Sequence, residues 1–210
     1  MSEHTSALGF AAADDGEELA RAELYGLLAR LWMAAPDEAL LGQFRVAVTQ
    51  APQQGAFLEA PWGALVAAMR ATSVDAAAAE YDALFQGVGK PEVFLYGSFY
   101  LSGFLNERPL AALRDELAAL GLARDETRGE TEDHIAAVCE VMRYLIAGDD
   151  AAVCNLERQR RFFRAQLQPW GEKLCDAVQA HPRAQLYAAL AAFTRAFLQV
   201  ETQGFDLLEQ

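Results

Sequence analysis

The chain has 210 residues, of which 53% are hydrophobic and 22% charged, and its formal net charge is −13. A hydrophobic fraction of this size excludes a disordered chain, and the length suffices for one sizeable core or two small lobes. The negative charge disfavours binding to nucleic acid or anionic membrane surfaces and favours a cationic partner. The alternative is that the charge serves only to keep the protein soluble.

Hydrophobic residues recur at helical spacing along most of the N-terminal half. The predicted helices there are a leucine stripe over 24–31 that ends before Pro36, a segment opened by Pro61, a segment over 74–85 capped by Thr72 or Ser73, and a segment opened by Pro109 and ended by Gly121. Proline suits the first turn of a helix, and glycine suits the position just after its end.

The C-terminal half has the same periodicity. Its predicted helices run from about Thr131 to Ala147, over 150–167, over 169–180, and from Pro182 to a stop at Gly204. The sequence therefore predicts an all-α fold, a single bundle-like domain of about nine to ten helices.

Two segments resist the helical interpretation. Residues 86–103 combine glycines with aromatic residues, and we expect an irregular aromatic loop with a short helix, because an isolated strand would have no partner. Residues 123–129 are polar and are predicted to be a linker or hinge. It would divide an N-terminal helical part, 1–122, from a C-terminal helical part, 130–210.

Cysteine usage and the chain start indicate the compartment. Cys139, Cys154 and Cys175 are odd in number and form no CxxC pair, which favours buried thiols over a disulfide framework. Residues 1–4 show no export signal, and no stretch approaches the roughly 18 apolar residues of a membrane-spanning helix. We therefore expect a cytoplasmic protein without stable membrane insertion.

Common enzyme motifs do not occur in this sequence. Gly87-Val88-Gly89 lacks the third glycine of a dinucleotide fingerprint, and there is no phosphate loop or Gly-x-Ser-x-Gly elbow. Di-iron bundles use two Glu-x-x-His motifs, whereas Glu130 and His134 are one residue too far apart. We expect no metal or cofactor. A helical metal- or nucleotide-dependent enzyme stays the alternative, and a regulator's ligand-sensing domain ranks below it because no basic DNA-reading helix is evident.

The segment from Glu130 to Ile135 is the strongest local clue to function. On a helical wheel Glu130, Asp133, Ala137 and Glu140 fall within about 80° of one another. Such an edge would accept an arginine, with its stem over the alanine and its guanidinium on the carboxylates. The alternative is that acidic residues in a first turn merely complement the helix dipole.

A basic cluster stands out in this acidic chain. Arg158, Arg160, Arg161 and Arg164 lie within seven residues. They would bind a phosphate group, pair with carboxylates of the other part, or form a solvated helix face.

Three motifs in order and spacing carry a family resemblance. They are Tyr81-x-x-Leu84-Phe85-x-Gly87, Ser98-x-Tyr100 and Glu130-x-x-Asp133-His134-Ile135, with a weaker echo in Phe163-x-x-Gln166-Leu167-x-Pro169-Trp170. Over about residues 80 to 170 the chain resembles the TorD/DmsD/NarJ family of redox-enzyme maturation chaperones. It departs from that pattern at 93–97, where family members often have prolines and a tryptophan, and at Gln166, where they often have histidine.

The resemblance implies a cytoplasmic chaperone that binds a molybdoenzyme precursor through its twin-arginine signal peptide and assists cofactor insertion before export. It implies a hinge near the Asp-His motif and a peptide-binding groove. Residue by residue, Leu84, Phe85 and Gly87 would line or shape the groove, Asp133 and His134 would form its polar wall, and Glu130 would meet an arginine. Tyr81, Ser98 and Tyr100 complete the expected site. The client stays open between formate dehydrogenase-type and dimethyl-sulfoxide or trimethylamine-N-oxide reductase-type enzymes, and lobe exchange into a homodimer stays open as well.

Overall fold

The computed structural model describes residues 15–46, 57–87, 89–124, 127 and 129–207. Ten α-helices occur in these residues: α1 Asp15–Met33, α2 Glu38–Val46, α3 Glu59–Ala71, α4 Val74–Tyr81, α5 Gly97–Ser102, α6 Arg108–Ala119, α7 Ile135–Ala147, α8 Leu156–Gln166, α9 Gln168–Gln179 and α10 Leu186–Leu207. A π-helical turn, Asp82–Gln86, continues α4. The described part of the chain contains no strand beyond an isolated antiparallel bridge between Tyr96 and His134. The predicted all-α fold is confirmed.

Helices from both sides of the predicted linker share one hydrophobic core. α1 packs along α7, and α10 packs against α9 and α3. The ring of Tyr25 on α1 meets that of Phe197 on α10 at a centroid distance of 4.9 Å. The linker 123–129 stays a prediction, because residues 125, 126 and 128 lie outside the described residues. Residues 1–4, on which the export prediction depends, also lie outside them.

Most predicted helices are present, but some boundaries were wrong. The last helix begins at Leu186 and continues through Gly204 to Leu207. Its extra turn is held by burial, because Phe205 is 2% exposed and packs on the ring of Phe163 at 5.3 Å. The helix α2, which the spacing did not predict, buries Leu40, Leu41 and Phe44. None of the described helices is long and apolar enough to cross a bilayer.

The cysteines agree with the thiol prediction. All three are free, with Cys139 and Cys175 buried in the core and Cys154 partly exposed. Burial raises the pKa of the Cys175 thiol to about 12, so that this group stays protonated.

A buried polar network ties the first helix to the last. Arg21 donates to both carboxylate oxygens of Glu201, at 2.9 and 2.8 Å, and the Tyr25 hydroxyl donates to the same carboxylate at 3.0 Å. Arg21 also donates to Gln159, whose amide in turn donates to the Leu145 carbonyl. Glu201 is only 5% exposed, and these bonds compensate the burial of its charge.

Three of the four arginines of the α8 cluster pair with carboxylates. Arg161 forms a two-point contact with Glu116 of α6, at 3.2 and 3.3 Å, which joins the two predicted parts. Arg160 pairs with Glu157 and Arg164 with Asp206. Of the three alternatives predicted for the cluster, pairing with a carboxylate of the N-terminal part therefore holds for Arg161.

Glu80 caps a helix that begins more than a hundred residues later in the chain. Its two carboxylate oxygens accept from the backbone N–H groups of Gln185, Leu186 and Tyr187 at 2.8, 3.1 and 2.9 Å. The first N–H groups of a helix have no partner within it, and a carboxylate also complements the positive end of the helix dipole. The start of α10 is thereby fixed to α4.

Replacing Glu80 with alanine leaves these N–H groups without their charged acceptor. We expect the Glu80→Ala variant to lose about 1–3 kcal/mol of unfolding free energy, measured by urea denaturation with an unchanged m-value. Glu38→Ala is the matched control, because Glu38 pairs with Arg45 at the exposed surface, where such a pair contributes less than about 1 kcal/mol. Equal losses in the two variants would contradict the capping role.

Candidate functional site

Two short segments, 95–98 and 133–135, run antiparallel where Tyr96 faces His134, and they join the aromatic loop to the start of α7. The Ile135 N–H donates to the Leu95 carbonyl at 2.8 Å, and the Gly97 N–H donates to the Asp133 carbonyl at 2.9 Å. We call these the paired segments. They give the irregular stretch 86–103 a partner, and α5 is the expected short helix within that stretch.

Asp133 is buried within the paired segments, with 4% of its surface exposed. One carboxylate oxygen accepts from the Ser98 N–H at 2.9 Å, and the other accepts from the Thr131 hydroxyl at 2.6 Å. Asp133 thereby caps the start of α5 from a distant part of the chain.

His134 is equally buried and caps the next helix. Its Nδ1 accepts from the Ala136 N–H at 3.1 Å, so the proton of the neutral ring lies on Nε2. The Tyr96 ring lies edge-on to the imidazole at a centroid distance of 5.2 Å. Burial lowers the pKa of His134 to about 4, against smaller opposing effects of Glu130 and Asp133.

The predicted start of α7 near Thr131 was wrong, and the paired segments explain why. His134 has extended backbone angles, φ −62° and ψ 135°, and the backbone bonds of the pairing hold it outside the helix. The helical-wheel argument therefore does not apply to Glu130 and Asp133. Glu130 nevertheless lies on the same surface as Ala137 and Glu140, because all three line one cleft.

That cleft has a volume of about 920 Å³ and lies between α1, α7 and the end of α6. Its apolar floor includes Ala137, Leu117, Leu122 and Val141, and its acidic groups are Glu130, Glu132 and Glu140; Arg30, Arg124 and Arg143 also line it. It adjoins a second depression of about 790 Å³, since Met33 and Ala34 line both. Together they form a groove with an apolar floor and charged edges.

The three acidic groups of the cleft have different partners. Glu132 accepts two bonds of 2.9 Å from Arg114, and Glu140 accepts from Arg143 at 2.8 Å. Glu130 accepts from the hydroxyl of Tyr96. Tyr96 was not among the predicted site residues, although its position between the aromatic loop and the acidic motif could have indicated it.

The structure divides the Tyr81 motif between core and groove. Tyr81 and Gly87 line the second depression, where the Tyr81 hydroxyl donates to the Met33 carbonyl at 2.7 Å. Leu84 and Phe85 are buried at 0% and 7% exposure, and the Phe85 ring packs within 5.0 Å of that of Tyr187. They support the groove from behind.

Ser98 and Tyr100 also make their contacts within the protein. Ser98 is 1% exposed, and its N–H is held by Asp133. The Tyr100 hydroxyl donates to the Phe94 carbonyl at 2.8 Å, and its ring stacks on Trp170 at 6.0 Å. A peptide-contacting role for the nine predicted residues stays a prediction.

Within the described ranges, no group of three or more His, Cys, Asp or Glu side chains is placed to hold a metal ion.

Comparison with known sequences adds a family to this geometry. The sequence model for the family described as "Nitrate reductase delta subunit" matches residues 52–176, which include all three motifs. The chain belongs to this family. Membership confirms the resemblance to the redox-enzyme maturation chaperones that the motifs indicated.

Curated relatives carry a chaperone name. "Chaperone protein TorD" from two strains of Vibrio cholerae serotype O1, Ogawa 395 and M66-2, is 26% identical over 140 residues. The match covers 63% of this chain and 64% of each relative. This member of the nitrate reductase delta subunit family therefore spans about two thirds of the length of the TorD proteins that it matches.

A solved structure supports the fold of this family member. A crystal structure from Archaeoglobus fulgidus, described as a candidate redox enzyme maturation protein, superimposes with a TM-score of 0.56. The superposition covers 94% of this chain and 99% of the other at 18% identity. At this identity the likeness concerns the helical fold alone.

Gly97 is needed in the paired segments because a large ring lies against it. A Cβ atom at this position would stand 2.8 Å from Cε2 of Trp170, whose Nε1 donates to the Gln166 carbonyl at 2.6 Å. We expect Gly97→Ala to cost about 1–3 kcal/mol in urea unfolding, since the anchored indole must move. Gly63→Ala is the control and should stabilise by about 0.5–1 kcal/mol, because its Cβ would meet nothing within 4 Å in α3. Equal signs in the two variants would refute this packing argument.

The buried His134 makes stability depend on pH. The unfolded chain takes up a proton near pH 6.5, whereas the folded chain resists it until about pH 4, so stability is lost as the pH falls between these values. Between pH 7 and 4.5 we expect the wild type to lose about 2–3 kcal/mol more than His134→Asn, which keeps a capping acceptor but does not titrate. Parallel pH profiles of unfolding free energy would show that His134 is not the titrating group.

Proposed function

We propose that this chain is a cytoplasmic chaperone that binds the precursor of a molybdoenzyme through its twin-arginine signal peptide and assists cofactor insertion before export. Its partner would be the precursor of the catalytic subunit, as signal peptide and apoprotein. Family membership and the chaperone name of the TorD relatives support the class of function. The cleft supports the mode of binding.

The main support for this mode of binding is that the cleft combines acidic side chains with an apolar surface. A twin-arginine signal peptide has a cationic segment followed by an apolar one. Glu130 at the cleft edge would accept a guanidinium, while Leu117, Leu122 and Val141 would receive apolar side chains. The net charge of −13 would also draw a cationic peptide towards the protein.

Within this proposal Asp133 and His134 position the site. Their side chains are buried and cap α5 and α7, which fixes Glu130 on one side and the α7 wall on the other. Tyr81 and Gly87 would contact the peptide where the groove continues into the second depression, and Leu84 and Phe85 would support that wall. Ser98 and Tyr100 would stabilise the paired segments.

The alternative of a metal- or nucleotide-dependent helical enzyme is not favoured, because the TorD relatives are named as chaperones. Neither client type is favoured by the geometry of the cleft. Lobe exchange would depend on the linker 123–129.

Peptide titration tests the proposal. A synthetic twin-arginine signal peptide, taken from the molybdoenzyme encoded nearest to this gene, should bind the wild-type chain in calorimetry, and added salt should weaken the binding. We expect Glu130→Gln to weaken it roughly tenfold or more, because a charge-assisted bond is lost.

Glu38→Gln, which removes a surface carboxylate of α2 away from the cleft, is the control and should bind like the wild type. A peptide with lysines in place of both arginines should bind more weakly, since lysine lacks the two-point geometry of the guanidinium. Failure of the wild type to bind, or equal affinities of Glu130→Gln and the wild type, would overturn the proposal.

A further inference from the structure

Glu130 is already occupied within the folded chain. The Tyr96 hydroxyl donates to its Oε2, both residues are partly buried, and Glu130 lines the cleft. Burial, followed by the bond to Glu130, raises the pKa of the Tyr96 phenol well above its usual value, so the hydroxyl remains a donor at neutral pH. A ligand that approaches this carboxylate must therefore compete with an internal hydrogen bond.

The other cleft carboxylates are occupied by stronger partners. Arg114 holds Glu132 through two charged bonds, and Arg143 holds Glu140 through one. A guanidinium arriving from outside would gain little by replacing an arginine with an arginine. At Glu130 it would replace a neutral phenol, so that a bond with one ionised partner gives way to a contact between two ionised groups that can form at two points.

We propose that Tyr96 is a specificity-determining residue that acts as a built-in competitor for Glu130, so that the cleft accepts a guanidinium group only by displacing the tyrosine hydroxyl. This inference rests on the proposed function, because it concerns how the same site selects its partner. Weak neutral donors on a passing peptide gain nothing over Tyr96, whereas an arginine gains a charged bond. The internal bond costs every ligand that takes Glu130 the same free energy, so that a weak donor has no net gain from binding there whereas an arginine still has one.

Displacement of the Tyr96 hydroxyl would also affect the paired segments. The Tyr96 ring packs edge-on against His134, and the two residues form the antiparallel bridge. His134 in turn caps α7. Release of the Tyr96 hydroxyl at the cleft edge would therefore act on the residue that fixes the start of α7.

Removing the competitor should strengthen binding. We expect Tyr96→Phe to bind the twin-arginine peptide roughly 3- to 10-fold more tightly than the wild type, because the cost of breaking the internal hydrogen bond to Glu130 disappears. In the Glu130→Gln background the same change should alter the affinity less than about twofold, since the two side chains act as a pair. Tyr187→Phe is the matched control and should leave the affinity unchanged, because its buried hydroxyl has no hydrogen-bond partner among the described residues.

The outcomes separate this inference from the function beneath it. Binding by the wild type, weakened by Glu130→Gln and unchanged or weakened by Tyr96→Phe, would overturn the role of Tyr96 and leave the chaperone proposal in place. Absence of wild-type binding would overturn both. Should Tyr96→Phe fail to fold, the wild type itself gives the answer. Its Tyr96 ring signals, assigned by selective tyrosine labelling, must shift on titration with the arginine peptide, and an unmoved signal at saturation would refute displacement.

Discussion

The organisation of this protein depends on the pairing of residues 95–98 with residues 133–135. Two backbone hydrogen bonds and the Asp133 carboxylate join a loop that has no regular structure of its own to the segment that precedes α7. Because each of these groups is buried, leaving any of them unpaired would cost free energy. The pairing therefore determines where α5 and α7 begin, and it places Glu130 at the edge of the cleft.

Motif residues of the family turn out to be mostly interior groups. Asp133 and His134 cap helices, and Leu84 and Phe85 fill the core behind the groove. The groups that face the cleft, among them Glu130, Leu122 and Val141, come from several elements. Under the proposed function, such a motif marks the scaffold of the binding surface, and differences in client choice between family members are expected on the cleft surface.

Hydrophobic periodicity was enough to predict the helical fold, because stripes such as Leu24 to Leu31 must be buried on one side. Periodicity failed to predict helix boundaries that depend on contacts between residues distant in the chain. Gly204 reads as a helix stop, yet Phe205 continues α10 because its ring packs on Phe163. Part of the predicted surface is present, because Glu130, Ala137 and Glu140 line one cleft although the extended His134 keeps Glu130 outside the helix, and their contact with a peptide stays a prediction. Tyr96 was not predicted, because its bond to Glu130, 34 residues away, depends on the pairing of the two segments and not on spacing along the chain.

The bond between Arg21 and Glu201 has a consequence for how the chain is made. The two residues are 180 positions apart, so a ribosome adding about 5–20 residues per second completes Glu201 roughly 10 to 40 s after Arg21. During that interval α1 lacks the charged partner and the apolar surface of α10. The face of α1 that carries Tyr25 and meets α10 would be open to non-specific association in the nascent chain. A protein proposed to protect an unfinished enzyme thus passes through an unprotected stage of its own.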